Sequence, residues 1–336
     1  MRSLMSDLPK RFGIKLPGVG IQDNTELAQY ADDVGVESVW MAEGRLTFDA
    51  ITPMAVYAAS TKRVRVACGV LPIFTRNPAL IAQTFATLDF LAPGRIILGL
   101  GVWWDPIATK VGIDRGTKLI RAAREYLEAI RLLLERREPV TYEGEYVRFD
   151  DVFLDHGATG PHHVPIYLAA VGPQMLRLAG RLADGVVLNS SHTVEATRDE
   201  VQQVLVGAEA AGRSLDDIDI VQPCTIRLTN DKPTAIAQDK VVVTQFIAQQ
   251  PHVAGPTGIE PELADRIRDI VGGWPASRSS IVEASKLVPD EIIENIGCYG
   301  SDDEVRERLR AYEGAGVDCL YAAADKALID FLAQGW

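Results

Sequence analysis

Eight short, β-branched apolar runs recur along this chain, each followed by a stretch with helical spacing, and that alternation constrains the fold most. The runs are Phe12–Leu16, Ser38–Ala42, Val64–Leu71, Ile96–Gly101, Val164–Ala170, Gly185–Asn189, Ile218–Leu228 and Val317–Ala322. Several are apolar without interruption, as parallel strands buried on both faces must be. The helical stretches carry readable ends. Asn24-Thr25-Glu26 opens one that runs to Val34 and closes at Gly35; Asn77-Pro78 opens one that runs to Leu91 before Pro93-Gly94. A longer one spans about Gly116 to Arg136, another starts at Pro173, and the last runs from Asp325 to Leu332. Eight β-then-α units in order predict a closed (β/α)₈ TIM barrel rather than an open sheet, as a single domain over residues 1–336. Two stretches exceed a connector. One, after strand 4 at about 137–163, reads as a hairpin of Val140-Thr-Tyr against Tyr146-Val-Arg-Phe; the other, after strand 7 at about 232–300, holds three or so extra helical segments.

Composition removes several function classes. Lys plus Arg total 34 against 46 for Asp plus Glu, a formal charge of −12, so the chain lacks the basic surplus that phosphate backbones or anionic lipid surfaces demand. Neither nucleic acid nor a membrane is an expected partner. No apolar run reaches the ~18 residues that cross a bilayer. Met1–Lys10 has no apolar h-region, and the four cysteines form no C-x-x-C, so a cytoplasmic protein without a metal or disulfide framework is expected.

A barrel carries its chemistry on the loops that leave the strand C-termini, which makes position a filter. Gly172-Pro173-Gln174 follows the fifth strand and opens a helix, where free N–H groups and the dipole favour an anion; an ordinary βα turn has the same residues. Leu98-Gly-Leu-Gly-Val-Trp-Trp-Asp105 leaves the fourth strand, with two glycines that admit a flat ligand and two tryptophans that wall it or simply pack the mouth. Glu43-Gly44-Arg45 leaves the second strand, where a carboxylate relays protons or merely pairs with an arginine. Gly69-Val70-Leu71-Pro72 ends the third strand, with a glycine that marks a bulge or a plain strand end. Asn189 and His192 follow the sixth. His156, His162 and His163 precede the fifth strand, fail the filter, and complete no metal-ligand set. No nucleophile elbow is present either, which disfavours a barrel hydrolase.

Taken together these loops resemble the bacterial luciferase-like superfamily, and within it the coenzyme F420-dependent oxidoreductase branch similar to methylene-tetrahydromethanopterin reductases. The resemblance lies in Ser38-Val-Trp-Met-Ala-Glu-Gly44, in Cys68-Gly-Val-Leu-Pro with Thr75-Arg-Asn-Pro-Ala79, in Gln83–Asp89 through Ala92–Gly101, and in Tyr167-Leu-Ala-Ala-Val-Gly-Pro173 through Leu188. It implies a TIM barrel that binds F420, with FMN as the alternative cofactor. It further implies that the Gly172-Pro173 turn holds the cofactor phosphate and that Ala170 and Val171 belong to the cofactor site. A bulge at Gly69, Val70 and Leu71, with a non-prolyl cis bond at Gly69–Val70, would back the ring, with Val102 and Trp103 beside it and Glu43 close to it. Glu43 is then the candidate acid–base residue, and Trp104, Asn189 and His192 the candidate substrate contacts.

Two departures narrow the activity. Relatives that oxidise alcohols or sugar phosphates carry a histidine after the acidic residue, where this chain has Gly44, and sugar-phosphate dehydrogenases carry a glutamate near Trp104. The resemblance therefore implies hydride transfer at C5 of F420, as a reductase of an unidentified small organic substrate. An FMN-dependent monooxygenase and a non-catalytic cofactor-binding protein are the alternatives. A homodimer is the family's habit. Arg76 and Arg177 are the cations expected to offset the chain's negative field at an anionic cofactor.

Overall fold

The computed structural model describes residues 11–16, 20–103 and 105–336. Eight parallel strands close into a barrel: β1 (Phe12–Lys15), β2 (Ser38–Met41), β3 (Arg65–Pro72), β4 (Ile96–Gly101), β5 (Ile166–Ala169), β6 (Gly185–Val187), β7 (Asp219–Pro223) and β8 (Cys319–Ala323). Each pairs with its sequence neighbour, and β1 closes on β8 with Phe12 opposite Leu320. The helices α1 (Ile21–Val34), α2 (Ile51–Ser60), α3 (Pro78–Leu91), α4 (Leu119–Glu135), α5 (Pro173–Leu182), α6 (Val194–Glu209), α7 (Asp302–Gly314) and α8 (Lys326–Ala333) pack around it. Among the described residues no helix is long and apolar enough to cross a membrane.

The barrel interior is filled, not hollow. Trp40, Ala67, Ile97, Tyr167, Val187, Val221, Cys319 and Tyr321 point inward from seven strands, and Trp40 stacks on Tyr321 with ring centroids 4.5 Å apart. Gly13 of β1 leaves the room: a Cβ there would stand 2.8 Å from the Trp40 indole nitrogen. The N-terminal end is sealed by charge. Arg11 reaches Glu37 at 2.6 Å and Asp219 at 2.8 Å, Arg65 reaches Glu37 at 3.3 Å, and the Tyr167 hydroxyl donates to Asp219. Nearby, buried Asp32 accepts the backbone N–H groups of Lys62, Arg63 and Val64 at 2.9, 2.7 and 2.6 Å. Burial opposes its charge, but these bonds win and hold the carboxyl below its ordinary range. These bonds tie the backbone ahead of β3 to α1, while Lys62 and Arg63 themselves remain exposed.

Several boundaries differ from expectation, each for a local reason. The run 218–228 splits at Pro223, which has no N–H to continue a ladder; Ile226–Leu228 instead pairs with Cys298–Gly300 in a separate two-stranded sheet. Helix α1 starts at Ile21, not Asn24, because Gly20 takes a left-handed conformation (φ 70°) ahead of it. Helix α4 starts at Leu119, since Gly116 turns with φ 62°. The hairpin pairs Val140–Glu143 with Arg148–Val152; Tyr146 is drawn away, its N–H donating to Glu125 at 2.7 Å. The segment after β7 holds five helices: Lys232–Gln249, Pro251–Ala254, Pro261–Val271, Arg278–Ser285 and Asp290–Asn295. They enclose their own apolar core, including Ile236, Val243, Ile247, Ile267, Ile281 and Ile293.

Candidate active site

At the C-terminal ends of the strands lies a cavity of about 1100 Å³. That is at or above the upper end of the roughly 300–1,000 Å³ typical of a site for one small ligand, so it has room for a cofactor and a second molecule. Gly69 and Val70 of β3, Gly101-Val102-Trp103 after β4, Ala170-Val171 after β5 and Leu188-Asn189-Ser190 after β6 line one side. Tyr321 of β8 lies at the base, where burial pushes its phenol well above the usual range. Gln249, Gln250, His252, Arg268, Asp269 and Gly272-Gly273-Trp274, all from the segment after β7, line the other side.

The wall at β3 is built by a bulge. Cys68 faces Leu98 but Leu71 faces Leu100, so Gly69 and Val70 together oppose only Gly99; the Gly69–Val70 peptide is cis. The β4 glycines serve this bulge. A Cβ on Gly99 would stand 2.1 Å from the Cys68 carbonyl oxygen, and one on Gly101 would stand 2.6 Å from a Val70 methyl. Their first duty is to admit the protein's own β3, rather than the flat ligand expected from sequence. Across the mouth, Trp103, Ile107 and Ala108 form a small apolar cluster with Ile113 and Trp274, joining the loop after β4 to the segment after β7. Arg115 lines the cavity and donates to the Trp103 carbonyl, which braces that loop.

Of the residues singled out in the sequence, Gly69, Val70, Val102, Trp103, Ala170, Val171 and Asn189 come together on the cavity wall. Gly172 and Pro173 stand next to it: Gly172 has φ 79° with open space where a Cβ would be, Pro173 begins α5, and Met175 of the same turn returns to the wall. Leu71 is fully buried in the barrel core. Glu43 is off the wall; its carboxylate takes Arg76 at 2.7 and 3.1 Å, while its backbone N–H donates to the Val70 carbonyl at 3.2 Å. Arg76 is thereby committed, and Arg177 donates to Gln203 at 2.9 Å away from the cavity. Trp104 lies outside the described residues.

His192 is fully buried instead of facing the cavity. Its Nδ1 lies 2.9 Å from Glu200, the Tyr312 hydroxyl donates to its carbonyl at 2.8 Å, and its buried Nε2 has no hydrogen-bond partner. The histidines before β5 form a separate chain: His162 sits 2.9 Å from Asp89 and 3.1 Å from His156. Sequence reasoning missed Arg115, Gln249, His252, Arg268, Asp269, Trp274 and Tyr321. Only Gly272-Gly273-Trp274-Pro275, a stop signal after a helix, marked any of them.

Fold and site together define a (β/α)₈ barrel with a deep, partly apolar cavity bounded by a β3 bulge and a βα turn. The chain belongs to the luciferase-like monooxygenase family, which it matches over residues 1–319. It is 30% identical to a 5,10-methylenetetrahydromethanopterin reductase of Methanopyrus kandleri over 321 residues, 91% of this chain and 90% of that one. It is 32% identical over 310 residues to an F420-dependent glucose-6-phosphate dehydrogenase of Nakamurella multipartita, 88% of each chain. Its fold superposes on the solved coenzyme F420-dependent tetrahydromethanopterin reductase of Methanopyrus kandleri with a TM-score of 0.83 at 27% identity, covering 97% of this chain and 98% of that one.

Proposed function

We propose that this chain is an F420-dependent oxidoreductase that works as a reductase, passing hydride from C5 of the deazaflavin to a small organic substrate. One observation carries the reading: a single cavity runs from the Val70 bulge and Trp103 to Ala170-Val171, at the door of the Gly172-Pro173 turn. The named relatives that share this barrel over most of its length act with F420. The residues fit the group. Val70 and Trp103 supply flat apolar walls for a tricyclic ring, and the missing Cβ at Gly172 lets a phosphate approach the N-terminus of α5. Trp103 Nε1, buried without a hydrogen-bond partner, is a donor that a cofactor oxygen would satisfy.

F420, when bound, supplies a two-electron hydride. The protein's share is orientation: fixing ring and substrate face to face makes the transfer effectively intramolecular. Arg115 and Arg268 on the cavity wall offset the chain's charge of −12 where an anionic cofactor enters. Glu43 acts through Arg76 and the Val70 carbonyl, as the support that holds the bulge in place. Val56 of α2 and Leu80, Phe90 and Leu91 of α3 are exposed apolar residues that support a homodimer through these helices. Titration of the purified protein with F420 and with FMN, followed by tryptophan and cofactor fluorescence, tests the reading. Micromolar F420 binding with far weaker FMN binding is expected; the reverse order would replace it with oxygen-dependent flavin chemistry.

A further inference from the structure

We propose that His252 is the acid–base residue of this cavity, carried on a segment tied to the loop that holds the buried His192–Glu200 pair. The inference rests on the reductase reading and adds to it the side chain that moves the proton. Reducing a C=X bond takes a hydride and a proton. The substrate carbon gains the hydride with its two electrons, the π pair opens onto X, and X takes a proton from His252. His252 recovers that proton from water, and the one ring proton the deazaflavin loses on oxidation balances the count.

Elimination leads to His252. Among the described residues, the titratable side chains lining the cavity are Arg115, His252, Arg268, Asp269 and Tyr321. Arginine does not release its proton at any working pH, and burial drives the Tyr321 phenol out of range. Among these side chains only a histidine has an ordinary range that borders neutral pH, where one group can both give and take a proton. Glu43 is held by Arg76 away from the wall.

The surroundings of His252 are arranged for the role. The loop carrying His192 is tied to the His252 segment by the Thr193 N–H, which donates to the Pro256 carbonyl at 3.1 Å. Glu200 fixes the His192 ring at Nδ1 and leaves Nε2 without a partner. Arg268 and Asp269 share the cavity wall with His252, and Arg45 donates to Gln249 of that wall at 2.8 Å. Partial desolvation at the cavity wall, and then the neighbouring His192, hold the His252 imidazole below the usual histidine range, although the residue stays open to solvent. A lowered histidine is a stronger acid when charged and a ready base when neutral.

The test uses the ¹³C-histidine-labelled full chain, the His252 resonance being assigned from its loss in His252→Asn. We expect His252 to titrate below about 6.5, the ordinary histidine value, and its resonance to move when F420 saturates the protein. In His192→Asn its titration should rise by half a unit or more. An ordinary titration that neither F420 nor His192→Asn moves, in protein that binds F420, would overturn the role of His252 and leave the reductase reading intact. Failure of the wild type to bind F420 would remove that reading and this proposal with it.

Discussion

At the N-terminal end of the barrel Arg11 and Arg65 meet Glu37 and Asp219 at 2.6 to 3.9 Å, and the Tyr167 hydroxyl joins them. At the C-terminal mouth Trp103 Nε1 and Arg268 Nε are buried without hydrogen-bond partners, and Arg268 pairs with Asp265 on its own helix. The strands are the same eight; their ends differ in what is left unfinished. Closed charge networks seal the bottom. Open donors at the top cost stability and are tolerated where a ligand completes them.

Four substitutions and one control break or sharpen this contrast. Gly99→Ala should do most, because its new methyl meets the Cys68 backbone carbonyl: about 3 kcal/mol of stability lost by urea unfolding, with F420 binding lost as the bulge moves. Gly44→Ala, which meets nothing within 4 Å, is its control and should be neutral in both. Asp219→Asn strips the bottom network of a charge shared by two arginines. Its pairs are partly exposed, so about 2 kcal/mol is expected from the urea midpoint, with the F420 Kd unchanged within twofold.

Gly172→Val should act the other way round. A β-branched residue at φ 79° and a side chain over the α5 N-terminus should raise the F420 Kd about tenfold in fluorescence titration. Its urea midpoint should fall less than that of Asp219→Asn. The smallest effect is Asp32→Asn. Because the folded Asp32 carboxyl is held below its unfolded value, its contribution is present above about pH 4 and lost as pH falls below it. The wild type should therefore lose about 1 kcal/mol more than Asp32→Asn between pH 5 and pH 2.5, read from urea midpoints.

The barrel was legible because strands buried on both faces must be apolar throughout, and nothing else in the chain imitates eight such runs. The part of the wall formed by Val70 and Trp103 was legible because barrel chemistry sits at strand exits, and Val171 entered only through the resemblance. What escaped were contacts that only closure creates. Gly99 and Gly101 look alike whether they admit a ligand or a neighbouring strand, and only the pairing of Leu71 with Leu100 decides between them. Glu43 looks reactive until Arg76 is brought against it from beyond β3. His252 sits in a stretch with no motif, where helix packing alone turns a residue toward the cavity or away.

The helices over residues 232–295 enclose an apolar core distinct from that of the barrel. Mutations that reshape the wall bearing His252 and Arg268 are therefore absorbed within that small module, and the strands that form the bulge and the α5 turn do not register them. Descendants of one such ancestor could trade one substrate for another by drift in about a fifth of the chain, while selection on the rest held the partner molecule constant.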